Sequence, residues 1–499
     1  MRHVLSVTKV HAFPTLRQWT QLSSLLSRGE KRILAISSTI LAVSFLSLAV
    51  GYVLTHRVEV PAIGGEYTEG LVGEPQFINP LYASSNDVDQ DLSSLIYSGL
   101  LRWDPRNGYV PDLAQSMTVN EEATMYTFKI RDNAKFHNGE EVLARDVLFT
   151  INAIQNPSYR SPLIDDFRRV RVVQDDDKTV SFILEEPFAP FVQYFTVGIL
   201  PAMVWAEILP QNAPLTALNL QPIGSGPYEF AKFAKDKRGS IRSYSLQRND
   251  DFYASAPFIQ TLTFKFYSDS TSLEEALQNK NVEGVGMVNF DGYEQVVGNS
   301  NVTLVSPLFP QETNLYFNQA LNPALADSVL RKAISGAIDK QKIVDEVLAG
   351  RASVIQGPLL EGMIGFQPVA TVFDTVAANS ALDEAGYDRL ANGMRKMKGV
   401  VIEENSEDEP AEEPEMLTFT LIAADTTQMR AVTQTIQQNI FALGITLNLQ
   451  FIPADLLFAQ VIEPRNFELL LTSIVLSGDP DPYAFWHSSQ AKAGGLNFV

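Results

Sequence analysis

The sequence has no cysteine. That excludes disulfides, thiolate zinc sites, thiol nucleophiles and an anchor built on a lipidated cysteine. Histidine is nearly as scarce. His3, His11, His56, His137 and His487 are the whole supply, and no two have the spacing of a metal-ligand pair, so no metal site is expected. No serine sits in a nucleophile elbow, which leaves a Ser-His-Asp hydrolase without a footing. Positive charge is short as well. The net charge is −20, and residues 1–57 carry +6, which leaves −26 on the remainder. A surface that acidic suits neither nucleic-acid phosphates nor anionic lipid, so nucleic acid is excluded as a partner. Long apolar runs are missing too, with one exception.

That exception is Ile33–Leu54, which runs without a charge between Lys31-Arg32 and His56-Arg57. At about 1.5 Å per residue it is long enough to cross a hydrocarbon core of roughly 30 Å. The tail, residues 1–32, holds six Lys/Arg against one acid, Glu30. The positive-inside rule puts that tail in the cytoplasm and the bulk of the chain outside. A cleaved signal peptide is the alternative, but the run exceeds a typical h-region of roughly 7–15 residues. Leu16, Trp19, Leu22, Leu25 and Leu26 share one helical face, so an interfacial helix or an unstructured tail are both open. Residues 55–65 read as a stalk closed by Gly64-Gly65.

Beyond the stalk, hydrophobic content of 45% and aromatic content of 10% over the whole chain support real cores. Val88–Leu101 has helical spacing at Leu92, Leu95, Ile96 and Leu100. Tyr126, Phe128 and Ile130 alternate with polar residues and predict a half-buried strand, as do residues 179–184. Asn138-Gly139 marks a turn, and Val147, Leu148, Ile151 and Ile154 predict a helix stripe. Gly224-Ser225-Gly226-Pro227-Tyr228 is a glycine-rich turn without the spacing of a phosphate loop. Residues 244–246 and 262–266 look like strands. Asp327 is placed to cap a helix carrying Val329, Leu330, Ala333, Ile334 and Ala337, and a second helix is expected from Lys340 to Ala349, stopped by Gly350. Residues 403–415 hold eight acids in a proline-containing stretch, expected to be a solvated loop; calcium binding is the lesser reading, because an EF-hand needs a glycine mid-loop. After it, Leu417, Phe419 and Leu421 alternate, a helical stripe runs to Leu443 and Gly444, and Ile445, Leu447, Leu449 and Phe451 alternate again. That βαβ pattern predicts parallel strands with a right-handed crossover.

Several stretches resemble, in the same order, the motifs of bacterial extracellular solute-binding proteins of the oligopeptide/dipeptide class. They are Tyr97-Ser98-Gly99-Leu100-Leu101, Pro111-Asp112-Leu113-Ala114, Tyr126 to Arg131 with Phe136-His137-Asn138-Gly139, and Ala144-Arg145-Asp146-Val147. Gly224 to Tyr228, Arg248-Asn249-Asp250-Asp251-Phe252-Tyr253, Tyr316-Phe317-Asn318 and Arg331-Lys332-Ala333-Ile334 follow. The resemblance implies a two-lobed α/β fold of the periplasmic-binding-protein kind, with an extra subdomain in the first lobe. Residues 66–310 would form lobe 1, and 311–499 lobe 2 with an acidic loop at 396–416. Family members bind ligand between the lobes and usually feed an ABC importer, so a monomeric, non-enzymatic peptide receptor without a cofactor is expected. Members continue past the position of Val499, so a truncated second lobe is also expected.

The resemblance implies site residues too. In peptide-binding members an Asp before a Pro near this point pairs with the ligand's amino group. Asp479 in Gly478-Asp479-Pro480-Asp481-Pro482 holds that position, with Asp481 second; simple Asp-Pro turns are the alternative. Tyr483, Phe485 and Trp486 lie beside it, as pocket walls or as core. Tyr82 and Asn86 fall where the first cleft loop is expected. A same-fold receptor for a nickel chelate, sugar or opine, and a sensory or assembly domain without transport, remain alternatives.

Overall fold

The computed structural model describes residues 26–57, 60–290, 292–298, 300–307, 311–357, 359, 366–367, 372–398, 415–475, 483–491, 495 and 497–498. The chain divides into two units, residues 1–63 and 64–499. The tail readings at residues 1–25 and most of the acidic stretch lie outside the described residues.

The first unit is a helix, α1 (Arg28–Thr55), longer at both ends than the uncharged run. Its start is fixed by a capping box. Ser27 Oγ accepts from Glu30 N at 3.4 Å, and Glu30 Oε2 accepts from Ser27 N at 2.8 Å. None of its side chains is buried against protein. Among the described residues it is the one helix long and apolar enough to cross a membrane.

The second unit begins with β1 (Gly64–Val72) and α2 (Asp87–Ile96). A hairpin of β2 (Leu101–Asp104) and β3 (Gly108–Pro111) follows, then β4 (Ala114–Val119), β5 (Met125–Ile130) and α3 (Ala144–Gln155). Next come β6 (Val170–Gln174), β7 (Thr179–Leu184), β8 (Tyr228–Lys235), β9 (Ile241–Arg248), β10 (Ile259–Tyr267), α4 (Ser270–Gln278) and β11 (Gly284–Val285). Strands β11-β1-β10-β9-β8 make one mixed sheet, and β4-β5-β7-β6 an antiparallel one. Both share one apolar core drawn from residues 78–266.

The rest of the unit holds β12 (Gln311–Phe317), α5 (Ser328–Ala337), α6 (Thr375–Glu384), β13 (Thr418–Ala424), α7 (Thr427–Phe441), β14 (Thr446–Ile452) and β15 (Leu469–Val475). Their sheet has the order β12-β15-β13-β14. Strands β13 and β14 pair in parallel across α7, as the alternating pattern required, and Gly444 turns the chain at φ +78°. The helix-covered face has its own core, from Leu325 to Leu471, and the opposite face a smaller cluster built on Tyr316, Ile422, Leu470, Ile474 and Phe498.

Two expected helices are shorter than their spacing suggested. Helix α2 stops at Ile96, and Tyr97 turns extended at φ −111°, ψ 148°. The reason is close packing on its last carbonyls. Gly226 N donates to Ile96 O at 2.8 Å, and a Cβ at Gly224 would stand 2.0 Å from that same oxygen. The glycine-rich turn therefore exists to let α2 end against it. The Lys340–Ala349 helix is broken into a short helix, Lys340–Lys342, and a widened turn, Ile343–Val347. Its buried members are Ile343 and Val344.

Candidate functional site

The loop after β1 is held from several sides. Asp89, on α2, accepts from Gln76 N and Phe77 N, both at 2.8 Å. Asn79 Nδ2 donates to Asn219 Oδ1 at 2.9 Å, and Ser161 Oγ to Leu81 O at 2.7 Å. This fixes Tyr82, which is buried with a hydroxyl that meets no hydrogen-bond partner among the described residues. Burial and nearby Tyr159 push its pKa up to about 12, so the hydroxyl stays neutral, able to donate or accept. Asn86 caps α2, its Oδ1 accepting from Val88 N at 2.9 Å while Nδ2 donates to Glu74 O at 3.2 Å. Gln76, Phe77, Tyr82, Asn86, Asp89 and Arg160 border a cavity of about 360 Å³. That is the size of a small-ligand subsite. Of the two residues expected here, Asn86 has its amide engaged by the chain, and Tyr82 is the one with hydrogen-bonding capacity to offer.

At the other end of the chain, Asp479 and Asp481 lie outside the described residues. Tyr483 opens a short helix, Tyr483–Trp486. Trp486 is half-buried, and Phe485 packs on the cluster of Tyr316, Leu470 and Phe498. Arg465 ties this region down, donating to Ala491 O at 2.7 Å and to Gly495 O at 3.1 Å. No direct contact joins Phe485 or Trp486 to Tyr82 among the recorded ring contacts of the described residues.

One row of residues escaped the sequence reading. Glu312, Asn314 and Tyr316 alternate along β12 and share a face, while Leu315 and Phe317 point into the helix-covered core. Glu312 is 1% exposed, and among the described residues neither its carboxylate oxygens, Asn314 Nδ2 nor the Tyr316 hydroxyl makes a well-formed hydrogen bond, although Asn314 lies beside both. Burial raises the Glu312 pKa, with Asn314 alongside favouring the charged form. The signal was there to find: polar residues alternating with Leu315 and Phe317 cannot all face solvent in a strand of a covered sheet.

The motif residues, by contrast, are fittings of the scaffold. Asp146 accepts from Leu143 N and Ala202 N, each at 2.8 Å. Tyr253 hydroxyl donates to Asp112 at 2.7 Å, and Asn249 Nδ2 to Gly226 O at 3.0 Å. His137 Nδ1 accepts from Gly224 N at 3.2 Å, so Nε2 carries the proton and donates to Gly226 O at 3.1 Å. Burial drives its pKa down to about 4, and it is neutral at physiological pH. A second, more polar cavity of about 340 Å³ opens beside His137, with Lys135, Arg248 and Asp250 on its walls. Among the described residues no group of three or more His, Asp and Glu could hold a metal. The whole arrangement offers donors, acceptors and aromatic walls: a surface that can hold a ligand.

A family model of bacterial extracellular solute-binding proteins, family 5 Middle, matches residues 108–497. Oligopeptide-binding protein AppA of Bacillus subtilis is 26% identical over 452 residues, covering 88% of this chain and 78% of that protein. Its structure in complex with a nonapeptide is similar with a TM-score of 0.63, over 88% of this chain and 85% of that one. The ABC transporter substrate-binding protein CtaP of Listeria monocytogenes has a TM-score of 0.70 at 24% identity, over 84% and 81% of the two chains. NikZ of Campylobacter jejuni, solved with Ni(L-His), has a TM-score of 0.65 at 22% identity, over 88% and 84%. The fold is therefore the two-lobed α/β fold of periplasmic binding proteins.

Proposed function

The chain belongs to the bacterial extracellular solute-binding proteins of family 5, and from that premise we propose that it captures peptides outside the cytoplasmic membrane and delivers them to an ABC importer. The family is one of binding proteins, and no chemistry on the ligand is proposed. Helix α1 is the membrane anchor, with its basic tail inside and the binding domain outside. Residues 66–310 and 311–499 act as the two lobes of a hinged clamp on a monomer. Ligand contacts made only in the shut form draw the lobes together.

The observation that carries the peptide reading is the likeness to AppA over most of both chains, since AppA was solved with a nonapeptide. The nickel and opine readings rest on neighbours of 21–22% identity, which speak for the fold alone. Asp479 is the partner of the ligand's amino group, with Asp481 its neighbour. Tyr483, Phe485 and Trp486 wall the same region, and Tyr82 with Asn86 serve the first lobe. An ammonium enclosed away from water needs a fixed counter-charge.

Calorimetric titration of the full chain in mild detergent with short peptides tests this. Asp479→Ala is expected to weaken binding by about 2–5 kcal/mol, and N-acetylation of the peptide to do the same to the wild type. Unchanged affinity in both cases would remove Asp479 from the role. Failure of every peptide to bind would remove the function.

A further inference from the structure

Residues 64–298 and 311–498 are packed separately. The first set holds the large core of residues 78–266 and, beside it, a small cluster of Ala276, Leu277, Val282 and Val296. The second holds the two cores on either face of the β12-β15-β13-β14 sheet. The ion pairs and ring contacts recorded among the described residues of this unit stay within one set or the other, except at Arg351. Arg351 reaches across. Its Cζ lies 3.6 Å from the ring centroid of Tyr293 and 5.2 Å from that of Phe290.

Each side of this contact is anchored in its own half. Tyr293 opens a short helix, Tyr293–Val297, whose Val296 is buried in the small cluster beside Ala276 and Leu277 of α4. Just before it, Gly292 N donates to Asn289 Oδ1 at 2.8 Å. On the other side, Arg351 follows the widened turn Ile343–Val347, with Ile343 buried in the helix-covered core and Leu348 packed against it. Arg351 N and Nε both donate to Leu348 O, at 3.0 and 3.1 Å, which ties the side chain to that half. A guanidinium is weakly hydrated, and its flat face stacks on aromatic rings. The attraction comes from the face of the ring and not from one lone pair, so it needs no single fixed angle.

We propose that Arg351, stacked on Tyr293 and Phe290, is a latch between the two halves. It favours the arrangement of the structure and sets the cost of leaving it. Ligand affinity scales with the fraction of chains in the binding-competent arrangement, so a latch of this kind tunes affinity without touching the ligand. The inference rests on the hinged clamp proposed above and not on what the clamp holds.

The chain has no cysteine, so two introduced ones take spin labels at chosen places and nowhere else. Glu275→Cys on α4 and Lys332→Cys on α5 put one exposed label on each half. Double electron–electron resonance on the full chain in mild detergent, without peptide, reads the distance between them. One distance should dominate. Arg351 is exposed, so Arg351→Ala leaves both cores packed, and it should raise the share of other distances against the first roughly three- to tenfold. Tyr293→Leu keeps apolar bulk, removes the ring and should have a similar effect. The two together should do little more than either alone, because they break the same contact. Two arrangements whose ratio ignores Arg351→Ala would overturn the latch and leave the hinge standing. Effects of the two substitutions that simply add would overturn it as well. One unchanging distance in every variant, with a peptide digest present or absent, would remove the latch and the hinge together. Failure of peptides to bind touches the peptide reading alone, since the labels are read without them.

Discussion

Asp146 and Glu312 are almost equally buried, at 2% and 1% exposure, and their surroundings are opposite. Asp146, in the first half, receives two backbone N–H groups at 2.8 Å. Glu312, in the second, receives none among the described residues. Burial raises both pKa values, so titration alone does not separate them. Bare hydroxyls do not either, because Tyr97 and Ser225 in the first half match Tyr316 in the second. The difference lies in what each carboxylate does for the chain. A buried charge that the backbone satisfies is structural, and removing it leaves orphaned donors. One without such donors costs the fold stability when it is charged.

Each substitution that follows presses on this contrast. Arg395 is the most completely satisfied charge, fully buried and bonded to Leu443 O at 2.7 Å, Asp383 Oδ1 at 2.5 Å and Asn379 Oδ1 at 2.9 Å. Arg395→Ala should lower stability by about 3–5 kcal/mol, read as a large fall in the thermal midpoint of the second half. Asp146→Ala orphans two N–H groups, Leu143 at the start of α3 and Ala202 on a distant segment packed against it, and should cost about 2–4 kcal/mol in urea unfolding. Wild-type stability after either change would break the claim that satisfied charges are structural.

His137 sharpens it through pH. Its folded pKa is depressed to about 4, so the unfolded chain binds the proton more readily. Stability present at neutral pH is lost as pH falls from about 6.5 to about 4, on the order of 2 kcal/mol, and His137→Gln should flatten that slope. Glu312 has the opposite sign of protein effect. A carboxyl whose pKa is raised on folding costs stability as pH climbs above the ordinary glutamate value. Glu312→Gln should therefore match wild type in acid and be the more stable of the two at pH 7. A destabilised variant would mean that Glu312 is structural after all.

Much of this frame was legible in the residues. Alternation at Tyr126, Phe128 and Ile130 gave β5, and Asp327 does cap α5, accepting from Val329 N at 2.8 Å. The break between β13 and β14 was written in Gly444. Such signals are local, set by periods of two and 3.6 residues and by caps. The early end of α2 was not local: it depends on Gly224 and Gly226, more than a hundred residues away, pressing on its carbonyls. The same holds for the site. Order of motifs pointed to Tyr82 as an expectation, while the motif residues themselves, Asp112, Asp146 and His137, brace loops. Glu312 carried no motif, and its burial shows only in the packing of β12. The acidic stretch between Lys396 and Met416, whose flanks pair with each other, lies mostly outside the described residues.

The most direct test of peptide capture is mass spectrometry of what the full chain, purified in mild detergent, releases when it is denatured. Short peptides with unblocked amino termini are the result expected. Release of a metal chelate, sugar or opine in their place, or a chain that retains nothing after incubation with a peptide digest, would contradict it.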